Sequence, residues 1–189
     1  DEDAKTYLKD FGAATASNGA VGLYHVEGIT PEAVQQGRDL IKEGAKTYVI
    51  DDGELERIYK SYPVIWKKKN AKPKLCFMGC PHMSLNQLIT WTKRVEKGLE
   101  KTGQNKVVTP TVFTAAPAVI KEFEKTEYGA RLKDTGIILS YICPLMYMNN
   151  PLCGSMPVIT SSNKLRTYTS ARYYTDAQIL ALITGGVRK

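Results

Sequence analysis

Histidine is scarce in this chain, with only two in 189 residues, and cysteine is little commoner at four. Four cysteines in a chain of this size do not make a disulfide framework. The spacing Cys76-x3-Cys80 is neither a zinc-ribbon nor a thioredoxin pattern. No apolar run approaches the roughly 18–20 residues that cross a bilayer, so no membrane role is expected. A basic-then-apolar leader pattern is missing from the N-terminal stretch as well, and a cytoplasmic location is the expectation. The chain opens on Asp1 rather than Met, which points to a shortened or processed polypeptide. Net charge is +7, but apart from Lys67, Lys68 and Lys69 the basic residues are scattered and no nucleic-acid motif accompanies them. The excess reads as a solvated surface whose field would also draw small carboxylates or phosphates.

What is present is an ordinary globular composition, 43% hydrophobic and 24% charged, enough for one core. Short apolar segments alternate with amphipathic ones. Thr30-Pro31-Glu32 is a helix start, and Val34, Leu40 and Ile41 would form its buried stripe up to Gly44. Thr47 to Ile50 reads as a strand, Asp52 to Tyr62 as a helix stopped by Pro63, and Lys67 to Lys72 as an exposed loop. Lys74 to Met78 is the next strand. Ser84-x-x-Gln87 is a capping box opening a helix that Gly103 ends. Val107 to Thr114, Ile137 to Ile142 and Met156 to Thr160 read as strands, Ala118 to Leu132 as a helix and Asn163 to Tyr168 as a short one. Thr175-x-x-Gln178 is a second capping box, opening a final helix to Thr184. Strands separated by helices pair in parallel through right-handed crossovers. The expected fold is a three-layer α/β/α sandwich with a mostly parallel sheet of four or five strands, over residues 31–189. Residues 1–30, with Leu23 to Val26 as a possible strand, read as an irregular segment that belongs to or contacts a further part of the protein.

In such sheets ligands bind beyond the carboxyl ends of the strands. That rule selects Gly79 to Ser84, Thr109 to Ala116 and Cys143 to Ser162. Gly79-Cys80-Pro81-His82-Met83-Ser84 runs from a strand into a capped helix, whose free amides suit a carboxylate or phosphate. Cys80 and His82 offer metal-binding or acid–base side chains, or else a packed thiol and a surface imidazole. Cys143, stopped by Pro144, ends an apolar strand at the same edge if the strands are parallel, or else packs as a buried core cysteine. Cys76 reads as core. Thr160-Ser161-Ser162-Asn163-Lys164 is again strand into helix, with hydroxyls and a cation that serve either an anion or a cap. His25 and Glu27 would share a face if Leu23 to Val26 is a strand.

In this order the segments resemble one family. Leu23-Tyr24-His25-Val26-Glu27-Gly28-Ile29-Thr30-Pro31-Glu32-Ala33, Gly79-Cys80-Pro81-His82-Met83-Ser84-Leu85 and Thr160-Ser161-Ser162-Asn163-Lys164 with Tyr168 are similar to motifs of the aconitase X family, across essentially the whole chain. Cys143 stands where that family has Asp-Thr-Cys, here preceded by Tyr141-Ile142, and Ser161 stands for a family Asn. The resemblance implies the C-terminal half of a large, catalytic subunit of a hydro-lyase that dehydrates small hydroxy acids, mevalonate 5-phosphate and hydroxyprolines among them. It implies an aconitase-like domain and an iron–sulfur cluster acting as Lewis acid, with Cys143 as first ligand and Cys80 as second. His82, Ser84, Ser162, Lys164 and His25 would bind substrate. The base, a serine, would lie on a separate swivelling domain or small subunit, and the missing N-terminal half would supply a further ligand. The alternatives are a non-catalytic α/β module holding a small anion at helix N-termini, a divergent paralogue without activity, and a simple metal site built on Cys80 and His82.

Overall fold

A computed structural model describes residues 2–186, with side chains from Ala4 onward; residues 187–189 of the expected domain lie outside the described residues. The elements in chain order are α1 (Glu2–Gly19), α2 (Pro31–Gln36, continued by a 3-10 turn Gly37–Leu40), α3 (Asp52–Ser61), β1 (Leu75–Met83), α4 (Leu85–Thr102), β2 (Thr111–Ala115), α5 (Pro117–Phe123), α6 (Glu127–Asp134), β3 (Ile138–Ser140), α7 (Pro144–Met148), α8 (Pro151–Gly154), β4 (Val158–Thr160), α9 (Asn163–Tyr168), β5 (Arg172–Tyr173) and α10 (Asp176–Thr184).

The strands form one five-stranded sheet in the order β3-β2-β1-β4-β5, with every pairing parallel. Alternation along the strands divides the core in two. Cys76, Met78, Phe113 and Ile159 face a layer carrying Leu88, Trp91, Val95 and Leu99 of α4, Phe123 of α5, Leu132 of α6, and Ile179 and Ile183 of α10. Phe77, Val112 and Val158 face the opposite way, onto Met148 of α7 and Leu165 of α9. The three-layer α/β/α reading therefore holds, with five strands.

Local chemistry accounts for the best-defined helix. Ser84 Oγ accepts the Gln87 amide at 3.2 Å while Gln87 Oε1 accepts the Ser84 amide at 2.9 Å, so the capping box at α4 is complete. Gly103 closes the helix in the left-handed conformation. The box of Thr175 and Gln178 repeats the pattern at α10.

Several expectations give way. The stripe after Thr30 is not buried: Val34 and Ile41 stand 62% and 60% exposed, and Gly37 at φ 58° breaks the α-helix. Thr30 makes no cap, because its hydroxyl accepts the Val26 amide at 3.0 Å and closes a turn instead. Tyr48, Val49 and Ile50 are exposed, and residues 41–51 pair with no strand. Leu23 to Val26 is likewise outside the sheet. The helix expected from Ala118 to Leu132 is two, because Thr126 caps a new one by accepting the Tyr128 amide. The segment expected to be irregular at the N-terminus carries the 18-residue α1.

Candidate active site at the carboxyl edge of the sheet

Gly79 makes the geometry of the site possible. It sits at φ +100°, where an added Cβ would collide with the Thr114 carbonyl oxygen and lie 2.6 Å from its Oγ1. Thr114 Oγ1 donates to the Gly79 carbonyl at 2.6 Å, so β1 and β2 close tightly at the point where β1 bends. Register between the two strands shifts between Met78 and Met83, which is the irregularity that carries Cys80, Pro81 and His82 over the sheet edge.

A cleft of about 600 Å³ opens above that bend. Its floor is Met78, Gly79, Cys80 and Pro81 of β1, one wall is Ser161 to Lys164 at the head of α9, and the other wall comes from Asp10 and Phe11 of α1 with Asp176 of α10. Ser162 has two tasks: its hydroxyl donates to the Cys80 carbonyl and accepts the Leu165 amide at 3.0 Å, binding β1 to the start of α9. Burial pushes the Cys80 thiol up, the Ser162 hydroxyl and the Lys164 charge pull it down, and Cys143 and Asp10 push it up again. Cys80, Ser162 and Lys164 line the cleft at the ends of β1 and β4, and Cys143 follows the end of β3.

The other expected residues are placed differently. Ser84 is occupied as the α4 cap and does not line the cleft. His82 is also outside the cleft lining: its Nε2 is buried without a hydrogen-bond partner among the described residues, and burial, then the Lys9 charge, lowers its pKa. His25 stands apart, 3.9 Å from Glu32, and Glu27 pairs with Arg38 at 2.8 Å rather than with the histidine. Cys143 is half-buried at the start of α7, beside the cleft rather than in its lining. Cys76 is core, and burial pushes its thiol far up. Asp10, Phe11, Tyr173 and Asp176 line the cleft unannounced by any motif; only the second capping box, which places Asp176 at the first position of α10, pointed near them.

Iron–sulfur clusters are held by about four thiolates. Among the described residues no group of three or more His, Cys, Asp or Glu side chains is arranged to hold a metal ion. Cys80 and Cys143 thus form an incomplete set, and the described residues do not fit a whole cluster site.

The described chain is a parallel α/β domain with a ligand-sized mouth at its carboxyl edge, the plan of enzymes that hold small anions between strand ends and helix starts. Residues 1–60 match the family described as "Aconitase X second domain". The stretch runs beyond the boundary expected at residue 30. The chain is 39% identical over 84 residues to the phosphomevalonate dehydratase large subunit of Methanosarcina mazei, covering 44% of this chain and 19% of that protein. It is 26% identical over 170 residues to the same-named subunit of Methanocaldococcus jannaschii, covering 85% of this chain and 37% of that protein. The crystal structure of Thermococcus kodakaraensis aconitase X (holo-form) superposes with a TM-score of 0.74 at 24% identity, over 93% of this chain and 43% of that one, which shows the shared fold. The family match thus covers residues 1–60, and the rest of the chain is similar to aconitase X in fold. The matches span only about a fifth to two fifths of the relatives' own length. No helix among the described residues is long and apolar enough to cross a membrane.

Proposed function

We propose that this chain is the substrate-holding portion of an aconitase-like hydro-lyase that removes water from a small hydroxy acid. One observation supports the reading most strongly. The cleft floor around Cys80 and the wall from Ser161 to Lys164 meet at the carboxyl edge of a parallel sheet, joined by the Ser162 hydroxyl. Lys164 supplies a cation to the cleft, and it attracts a carboxylate or phosphate. The names of the relatives make a phosphorylated hydroxy acid the first substrate to try.

In this reading Ser162 and Lys164 bind the anionic group, whereas Ser84 and His82 hold the loop's shape from behind. His25, beside Glu32 and outside the cleft lining, takes no part in holding substrate in this reading. The cofactor of the reading is an iron–sulfur cluster with Cys143 as first ligand and Cys80 as second, completed from elsewhere in the full-length protein. The base would come from a small swivelling subunit or domain. A cytoplasmic enzyme fits the reading.

The test combines anaerobic reconstitution of the full-length protein with iron and sulfide, in the presence of its small-subunit partner, and a dehydration assay on mevalonate 5-phosphate and on hydroxyproline. Visible sulfur-to-iron absorbance that is lost in Cys143→Ala, with turnover of one of the two acids, is the expected result. Absorbance that never develops, together with no turnover, would leave the non-catalytic anion-binding module as the better description.

A further inference from the structure

Helix α1 forms a wall of the cleft, yet none of its described side chains is buried. By contrast α4 buries Leu88, Trp91, Thr92, Val95 and Leu99. Hydrophobic burial therefore holds α4 in place, and something else must hold α1. Polar clamps at its middle and at its C-terminal end supply that hold. Midway along the helix, Lys9 Nζ donates to the His82 carbonyl at 2.6 Å and to Gln87 Oε1 at 2.5 Å. At the far end, Asn18 Oδ1 accepts from Arg166 Nη2 at 2.6 Å and from Thr167 Oγ1 at 2.7 Å. The return segment travels with the helix, since Tyr24 donates to the Leu8 carbonyl at 2.7 Å and its ring meets Phe11 edge-on at 4.8 Å.

Of the two acceptors that Lys9 selects, Gln87 lines the cleft and His82 precedes the turn into α4. Gln87 Oε1 is the same atom that accepts the Ser84 amide in the capping box, and the His82 carbonyl lies two residues before the cap. One ammonium group thus ties the α1 wall to the backbone turn that opens α4. We propose that Lys9 is a positioning residue, a latch that docks α1 on the 82–87 turn and so sets the width of the cleft. It touches no substrate in this role. Its functional meaning rests on the cleft being the substrate site, but the latch itself is a structural claim with its own readout.

Amide hydrogen exchange on the full-length protein tests it, in wild type, Lys9→Met and Lys9→Arg. Charge-assisted hydrogen bonds of this kind correspond to a change of about tenfold to a hundredfold in local opening. Lys9→Met is expected to speed exchange by that factor across α1 and at residues 84–88, with β1, β2 and the interior of α4 unchanged. Lys9→Arg, which keeps charge and donors, should restore part of the protection. Asn18→Ala is the second probe, expected to loosen the end of α1 while leaving 84–88 protected. Unchanged exchange in Lys9→Met would overturn the proposal, and so would a uniform rise over the whole sheet or a loss of folding, because a latch is dispensable to the core. None of these readouts requires substrate, so a failed dehydratase assay and a failed latch remain separate results.

Discussion

Replacing Gly79 with alanine should cost this fold more than any other single methyl group added at the mouth. Placing an L-residue on the left-handed side of the backbone map costs about 1–2 kcal/mol. The new Cβ would also collide with the Thr114 carbonyl and sit 2.6 Å from its Oγ1, with backbone rather than a flexible side-chain tip as the main obstacle. Overpacking of that kind costs about 1–3 kcal/mol. Relief requires moving Thr114 away from the Gly79 carbonyl, which sacrifices their 2.6 Å hydrogen bond, a loss of about 1 kcal/mol. The expected total is about 3–6 kcal/mol, a large part of the roughly 5–15 kcal/mol that stabilises a typical domain. Urea denaturation measures it: with a slope of about 2 kcal/mol per molar, the midpoint should fall by about 1.5 M or more. Gly28→Ala is the internal comparison, since Gly28 has φ +73° but no atom within 4 Å of an added Cβ; it should lose only the conformational part, about 1–2 kcal/mol. A Gly79→Ala midpoint equal to that of Gly28→Ala would refute the argument that close approach of β1 and β2 shapes the mouth.

Three further outcomes are expected. Ser84→Ala should lower stability by about 1 kcal/mol in the same denaturation assay, because the Gln87 amide loses its acceptor. In timed alkylation at neutral pH, Cys143 and Cys153, which are half-buried, should react before Cys80, whose thiol is both buried and pushed up, while Cys76 should resist until unfolding. The His82 imidazole has its pKa lowered from 6.5 chiefly by burial, so the unfolded chain binds the proton more readily. The stability it protects is therefore complete above about pH 6.5 and declines as pH falls through the lowered value, and His82→Gln should flatten that limb of a stability-versus-pH curve measured by thermal melting.

Features written in local chemistry were legible in the sequence. Ser84 with Gln87 and Thr175 with Gln178 are side-chain-to-backbone devices that work wherever they occur, and both helices start where the pattern puts them. The parallel pairing, though not the strand order, followed from alternation of elements, because crossover geometry leaves few choices. Segments whose state depends on a neighbour were not legible. Thr47 to Ile50 has strand-forming residues but no strand beside it, and propensity alone does not hold an extended segment in a sheet. Helix α1 is rich in Ala, Gly and polar residues and carries no buried stripe, so its periodicity was faint, and with it went Asp10 and Phe11 of the cleft. His82 follows the bend at Gly79 but is not among the cleft-lining residues and its Nε2 is buried, a three-dimensional consequence that spacing does not carry.

Calorimetric titration of the full-length protein with mevalonate 5-phosphate, in wild type, Ser162→Ala and Lys164→Met, tests the central claim most directly. Losing a charge-assisted contact in a partly enclosed site corresponds to about a tenfold or greater weakening. The account predicts saturable binding by the wild type and a loss of that size in Lys164→Met, with the variant still folded by circular dichroism. Equal affinity in all three proteins would contradict the assignment of this cleft as the place where the substrate's anionic group is held.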